Sequence, residues 1–201
     1  MDAHDDPTRT LHLTDPKALR AVAHPVRLEL LGLLRMHGPL TASEAGRLIG
    51  ESSGSCSFHL RQLARYGFIE EAGGGRGRQK PWRATTQAMS WADDPDTPEL
   101  RTASEQLNRV LVEKYFSWIA RWLGRSADES PAWRRAASVG DAGVYLTPAE
   151  LTKLNDQIRS LLSEYDDRTR DPKTRPRGSR LVTFISAAFP MDLARGGGTD
   201  A

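Results

Sequence analysis

The residues best suited to chemistry lie between positions 52 and 80, and they are suited to binding a polyanion. One arc of a predicted helix at 53–66 carries small, amide, cationic and aromatic side chains: Gly54, Ser57, Phe58, Arg61, Gln62 and Arg65. Such side chains can contact base edges and phosphates in a DNA major groove. No acidic residue occurs between Ser52 and Ile69. This absence favours a surface that faces a polyanion.

Two flanking features extend this candidate DNA-binding surface. Ser53 and Ser55 lie at the start of the same helix, where free backbone amides can bind a phosphate. The glycine-rich loop that follows carries flexible cations, which suit phosphate or minor-groove contact. His59 lies at the edge of the buried arc, so that packing and base contact both remain open for it. The predicted DNA-binding residues are Ser53, Gly54, Ser55, Ser57, Phe58, His59, Arg61, Gln62, Arg65, Arg76, Arg78 and Lys80.

Sequence signals for several short helices precede this surface, and those helices must position it. Asp15-Pro16 supplies an N-cap followed by proline at the first helical position, and Pro25 starts a second helix in the same way. Thr41 and Glu44 have the spacing of a capping box. Two short helices joined at a glycine indicate a helix-turn-helix, and a hairpin after them indicates a winged helix. The predicted elements are helices at 16–23, 25–37, 42–49 and 53–66 and strands at 68–71 and 81–85.

The chain has a single cysteine, so it can form no internal disulfide. Cys56 shares a helical face with Leu60 and Leu63, which predicts that it is buried as a small hydrophobic residue. A redox-sensing thiol is the alternative interpretation.

Charge separates along the 201 residues and helps to divide them into domains. Residues 15–91 hold 11 Lys and Arg against six Asp and Glu, whereas residues 92–167 hold nine against 14. A basic part beside an acidic part suggests that only the first faces a polyanion. We predict a disordered acidic tail at 1–14, a winged helix at 15–91, a linker at 92–98, a dimerisation and effector region at 99–190, and a disordered tail at 191–201.

The second half of the chain is predicted to be mainly helical with a small β-α-β unit. A long amphipathic helix at 99–124 is assigned to dimerisation through Leu107, Val110, Leu111, Trp118 and Trp122. Strands at 144–146 and 181–189 flank a helix that begins after Thr147-Pro148. The aromatic residues Tyr115, Trp118, Trp122 and Trp133 could line a pocket for a small apolar effector, but packing in the core and the dimer interface is the favoured interpretation.

The segments Ala23-His24-Pro25-Val26-Arg27 and Ser57-Phe58-His59-Leu60-Arg61-Gln62-Leu63 resemble the opening and recognition helices of ArsR-type winged-helix transcriptional regulators. The resemblance covers about residues 15–85. It implies a four-helix scaffold with a β wing, a homodimer, and an operator with two-fold symmetry. The cysteine pair and the terminal-helix Asp and His ligands of the metal-sensing members are missing, so no metal is expected.

These features together predict a mainly α fold with a small β component and a protein that is not an enzyme. No Walker loop, dinucleotide fingerprint or HExxH pattern is present, and no cofactor is expected. The N-terminus lacks the pattern of a secretory signal, which favours a cytoplasmic location. We predict a sequence-specific regulator that binds double-stranded DNA as a homodimer on an inverted repeat, acting as a repressor. A winged-helix protein-protein adaptor is the alternative.

Overall fold

The computed structural model describes residues 10–75, 80–92 and 95–191, with the backbone alone at 169 and 170. The chain forms two compact units, Met1–Ser138 and Val139–Ala201. The first unit contains β1 (Thr10–Leu13), α1 (Pro16–Val22), α2 (Pro25–His37), α3 (Ala42–Ile49), α4 (Ser53–Arg65), β2 (Ile69–Glu71), β3 (Trp82–Ala84), β4 (Ala88–Trp91), α5 (Pro98–Arg125) and α6 (Pro131–Ala136).

Helix starts in this unit follow the capping signals of the sequence. The Asp15 side chain accepts a hydrogen bond from the Lys17 amide at 2.8 Å, and Pro16 begins α1. Thr41 and Glu44 form the predicted capping box at the start of α3. These contacts satisfy amides that a helix N-terminus leaves without partners. The predicted bounds of α2 and α3 are confirmed, and those of α1 and α4 differ by one residue at the C-terminal end.

The wing is an antiparallel pair in which Ile69 lies opposite Ala84 and Glu71 opposite Trp82. Backbone hydrogen bonds between Leu40 and Trp82, at 2.9 and 3.0 Å, add the segment before α3 to this sheet. The wing is therefore attached directly to the start of the helix-turn-helix. The predicted winged helix is confirmed.

A second sheet was not predicted from the sequence. β1 pairs in parallel with β4, with Leu13 opposite Trp91. Leu13 is buried, which ties the strand to the core. The prediction of a disordered tail over 1–14 was therefore wrong for residues 10–13, because the acidic residues ahead of the strand obscured its alternation of apolar side chains. The rest of that tail lies outside the described residues.

One core unites the helices of the first unit. Ala103 and Leu107 of α5 are fully buried in the same cluster as Leu19, Leu30 and Leu60. Because α5 packs on α1, the compact unit extends to Ser138 and does not divide at the predicted linker, 92–98. Although α5 is 28 residues long, no helix within the described ranges is apolar and long enough to cross a membrane.

The second unit is built around α7 (Pro148–Ser163), followed by α8 (Asp166–Arg170) and a 3-10 turn at Pro172–Thr174. Thr147 and Glu150 form the predicted capping box of α7. The predicted β-α-β unit was wrong, since residues 144–146 and 181–189 form no strand. Their side chains are largely exposed, as at Tyr145 and Phe184. Strand propensity reflects packing on neighbours, and here these segments have no paired strand.

A substitution at Gly46 tests how closely α3 and α4, the two helices of the helix-turn-helix, approach each other. A Cβ atom at this position would lie 2.6 Å from the Glu51 carbonyl oxygen and 3.5 Å from the Cys56 sulfur. We expect Gly46→Ala to lower the free energy of unfolding by about 1–3 kcal/mol, because the backbone must shift. Urea denaturation measures this loss.

Gly54→Ala is the matched control for this substitution. Gly54 is also helical, but a Cβ there would meet only the Ser52 hydroxyl at 3.9 Å. The free energy of unfolding should stay constant or rise by up to about 1 kcal/mol. Equal losses in the two variants would contradict the close approach at Gly46.

Candidate nucleic-acid interface

The candidate recognition helix is α4, which is joined to α3 by a short turn through Gly50. The Gly50 backbone is left-handed, with φ of 76°, and this allows the chain to reverse direction there. Ser52 caps α4, because its hydroxyl accepts a hydrogen bond from the Ser55 amide at 3.1 Å. The sequence prediction of Ser53 as the cap was therefore displaced by one residue. Ser53 and Gly54 instead occupy the first helical positions.

The outward face of α4 carries most of the predicted DNA-binding residues. Phe58 is 51% exposed. Arg61 and Arg65 are also exposed, and Gln62 is half-buried. The Arg61 guanidinium donates to the Ser57 hydroxyl at 3.1 Å. No ion pair in the described part of the chain joins Arg61 or Arg65 to a carboxylate. Both cations are thus available to an external anion.

The opposite face of α4 holds the helix in place. Cys56, Leu60 and Leu63 are each fully buried. Burial, reinforced by the nearby Glu51 carboxylate, raises the pKa of the Cys56 thiol. A thiol of raised pKa forms little thiolate, so the geometry agrees with a packing role and not with redox sensing.

His59 faces inward and does not join the exposed arc. Its ring lies 4.6 Å from the ring of His24 and 5.2 Å from that of Phe58, centroid to centroid. The Nδ1 atoms of both histidines and the Nε atom of Arg27 are buried without a hydrogen-bond partner. Burial and the Arg27 charge lower the pKa values of His24 and His59, and Glu51 opposes the shift in both. Of its two open roles, the structure thus assigns His59 the packing role.

Two cations in the described residues of the wing are paired with carboxylates. Lys80 donates to both carboxylate oxygens of Glu71, at 2.7 and 2.8 Å, and Arg83 pairs with Glu70 at 2.8 Å. Lys80 must therefore leave Glu71, or share it, to contact a phosphate. Arg76 and Arg78 lie outside the described residues.

Residues Gly50, Ser52 and Gly54 have the G-x-S-x-G spacing of a hydrolase nucleophile elbow, a coincidence that the sequence prediction overlooked. In such an elbow a strand leads into the serine, whereas here α3 and its turn precede Ser52. The Ser52 hydroxyl is occupied in capping α4. This serine is a helix cap.

The predicted dimerisation residues lie mostly against the protein's own core. Leu107 is fully buried, and Val110 and Leu111 pack on the same cluster. Leu107 cannot reach a second chain, so its assignment was wrong. Trp118 lies beside Lys114, and Trp122 beside Arg125.

A different stripe of α5 is exposed, and the sequence prediction missed it. Val112, Phe116 and Leu123 are 50, 66 and 57% exposed, and Ile119 lies between them. Their spacing of four, three and four residues places all four within about 60° on a helical wheel. The width of the apolar pattern concealed it, because α5 carries apolar residues on two faces. Only the structure shows which face α1 covers.

The four aromatic residues proposed as an effector pocket do not form a single pocket. Tyr115 and Trp118 are 5.8 Å apart, centroid to centroid. Of the four, Trp118 alone lines the small cavity between α2 and α5. In the described ranges, no group of three or more His, Cys, Asp or Glu side chains is placed to hold a metal ion.

Residues 22–72 match a family model described as a helix-turn-helix domain. No curated protein matches the chain.

The chain is also similar to several solved structures. Reduced HlyU from Vibrio cholerae is 21% identical, with 47% of this chain and 84% of that chain covered and a TM-score of 0.30. A second structure is the homodimeric winged helix-turn-helix DNA-binding domain of Mb0332 from Mycobacterium bovis, a possible ArsR-family regulator. It is 18% identical, with 49% of this chain and 75% of that chain covered and a TM-score of 0.32. The ArsR family transcriptional regulator RHA00566 is 25% identical, with 51% of this chain and 87% of that chain covered and a TM-score of 0.30.

The family match and the winged-helix geometry together define the class of the N-terminal domain. It is a winged helix-turn-helix domain, a kind of domain that DNA-binding proteins use to place a helix in the major groove. Within that class it resembles the domains of ArsR-type regulators.

The His24–His59 pair predicts how the stability of this domain depends on pH. Because both pKa values are lowered in the folded protein, the unfolded chain binds protons more readily. The folded domain keeps its full stability above the ordinary histidine pKa of about 6.5, and its free energy of unfolding decreases as the pH falls below that value. Urea denaturation between pH 7.5 and 5 should show this decrease. His59→Gln should reduce the decrease. A curve for this variant equal to that of the wild-type protein would contradict the prediction.

Proposed function

We propose that this protein is a sequence-specific regulator that binds an inverted-repeat operator as a homodimer, with one α4 in each of two successive major grooves. The observation that carries the proposal is the division of α4 into two faces. One face is apolar and fully buried, and the other is exposed and carries arginines that form no ion pair with a carboxylate of the described residues. We further propose repression, in which the bound dimer excludes RNA polymerase from an overlapping promoter.

The exposed face of α4 supports base reading as well as phosphate binding. Arg61 and Gln62 carry the donor groups that pair with guanine and adenine edges, and Phe58 offers an apolar surface to a thymine methyl. Exposed Gly54 and half-buried Ser57 are small, which lets the helix backbone approach the groove. The first amides of α4, at Ser53 and Gly54, point toward the phosphates that flank such a groove.

The exposed stripe of α5 supports dimerisation. Val112, Phe116, Ile119 and Leu123 repeat at the spacing by which two helices pack side by side. Water contact with such a stripe is unfavourable, and pairing with the same stripe of a second copy removes it. A symmetric pair of this kind presents two α4 helices to one duplex. Half-sites about 34–36 Å apart, one helical turn, match such a pair.

Replacement of the reading side chains tests the proposed base contacts. We expect Arg61→Ala and Gln62→Ala each to weaken binding to the operator by about 1–3 kcal/mol and to weaken binding to random DNA much less. Fluorescence anisotropy on both duplexes, repeated at several salt concentrations, measures the difference. Arg159→Ala, on α7, removes an exposed arginine outside the winged helix and should change neither affinity.

Equal losses on operator and random DNA would show that these residues bind only phosphates. If the Arg61→Ala and Gln62→Ala variants lose no affinity for DNA and still bind a protein partner, the adaptor alternative would be favoured.

A charge placed in the α5 stripe tests the proposed dimer. Phe116→Glu should raise the dimer dissociation constant at least about tenfold, because association must then bury a carboxylate. Sedimentation equilibrium measures that constant. Gln106→Glu adds the same charge on another exposed side of α5 and should leave it unchanged. An unaltered dimer in the Phe116 variant would place the interface elsewhere.

A further inference from the structure

A small cavity lies between the start of α2 and the middle of α5. Its volume is about 190 Å³, and Pro25, Val110 and Trp118 provide apolar walls. Ligand pockets for drug-sized molecules span roughly 300–1,000 Å³. This cavity therefore suits a smaller molecule, of about one aromatic ring.

The feature that marks the cavity as a binding site is the Lys114 ammonium group, which lines it. Lys114 is half-buried, donates one hydrogen bond to the Leu28 carbonyl at 3.1 Å, and lies 4.7 Å from the centroid of Trp118. An ammonium group has three donors. No ion pair in the part of the chain that the structure describes joins Lys114 to a carboxylate. A partly buried cation that forms no ion pair therefore borders a cavity with apolar walls at Pro25, Val110 and Trp118.

The electrostatic environment of Lys114 agrees with this geometry. Burial lowers the pKa of Lys114 to about 8, and the Arg35 charge adds to the effect while Glu29 opposes it. Arg35 is half-buried, and one of its guanidinium nitrogens is buried without a hydrogen-bond partner. An anion bound at Lys114 would reduce the repulsion between these two cations.

We propose that this cavity binds a small planar monocarboxylic acid, with its carboxylate on the Lys114 ammonium group and its ring against Trp118 and Val110. Glu29 and Glu113 also line the cavity and would repel a second negative charge, which selects against dianions. Binding is noncovalent, so no bond is formed or broken.

The site is independent of the proposed dimer and goes beyond DNA binding. On the α5 helical wheel the cavity residues Val110, Lys114 and Trp118 lie far from the exposed stripe that contains Phe116, roughly on the opposite side. Pairing through that stripe leaves the cavity open. A failure of the dimer proposal would thus not remove the basis of this one.

Isothermal titration of the full-length protein with benzoate tests the proposal. Benzylamine and benzyl alcohol, which have the same ring with a positive or no charge, serve as matched ligands. We expect benzoate to bind and the other two to bind at least about tenfold more weakly. Lys114→Gln, which keeps a polar donor but removes the charge, should weaken benzoate binding at least about tenfold, whereas Lys153→Gln on α7 should not.

The pH dependence of the wild-type protein gives a readout that needs no variant. Benzoate should bind the protonated lysine, so its affinity should fall between pH 7 and 9, and binding near pH 8 should take up protons from the buffer. The other charged groups around Lys114 are Glu29 and Arg35 from α2 and Glu113 and Arg121 from α5. Absence of benzoate binding at millimolar concentration, tighter binding of benzylamine, or a flat pH profile would each overturn the proposal.

Discussion

The rest of the structure depends on packing the candidate recognition helix, α4, against the core along one face only. A 13-residue helix is marginal in water by itself, so α4 exists because Cys56, Leu60 and Leu63 are fully buried against its neighbours. That burial is possible because α3 approaches closely, with no side chain at Gly46 to separate it from the Glu51 carbonyl. With all apolar residues of this helix committed inward, except Phe58, the outward face is left to polar and cationic groups.

The start of α2 connects several parts of the molecule. His24, its N-cap residue, packs on His59 of the recognition helix. The next residue, Pro25, lines the cavity beside α5, and the Leu28 carbonyl accepts the Lys114 hydrogen bond. A single helical turn therefore contacts both the DNA-reading element and the proposed anion site.

Local signals in the sequence were sufficient for the winged helix. Capping residues such as Asp15 and Thr41 fix where helices begin, because they satisfy backbone amides within a few positions of themselves. Long-range contacts were not predictable in this way. β1 depends on β4, some 78 positions away, and the inward face of α5 depends on α1. Leu107 and Phe116 look alike in the sequence, yet one is fully buried and the other 66% exposed.

The central claim is that α4 reads a specific, symmetric DNA site. Selection of genomic fragments with the purified protein, followed by footprinting of the best fragment, tests it most directly. The account predicts protection of an inverted repeat whose half-sites are centred about 10 base pairs apart, with affinity far above that for random DNA. Equal affinity for all fragments, with no discrete footprint, would contradict it.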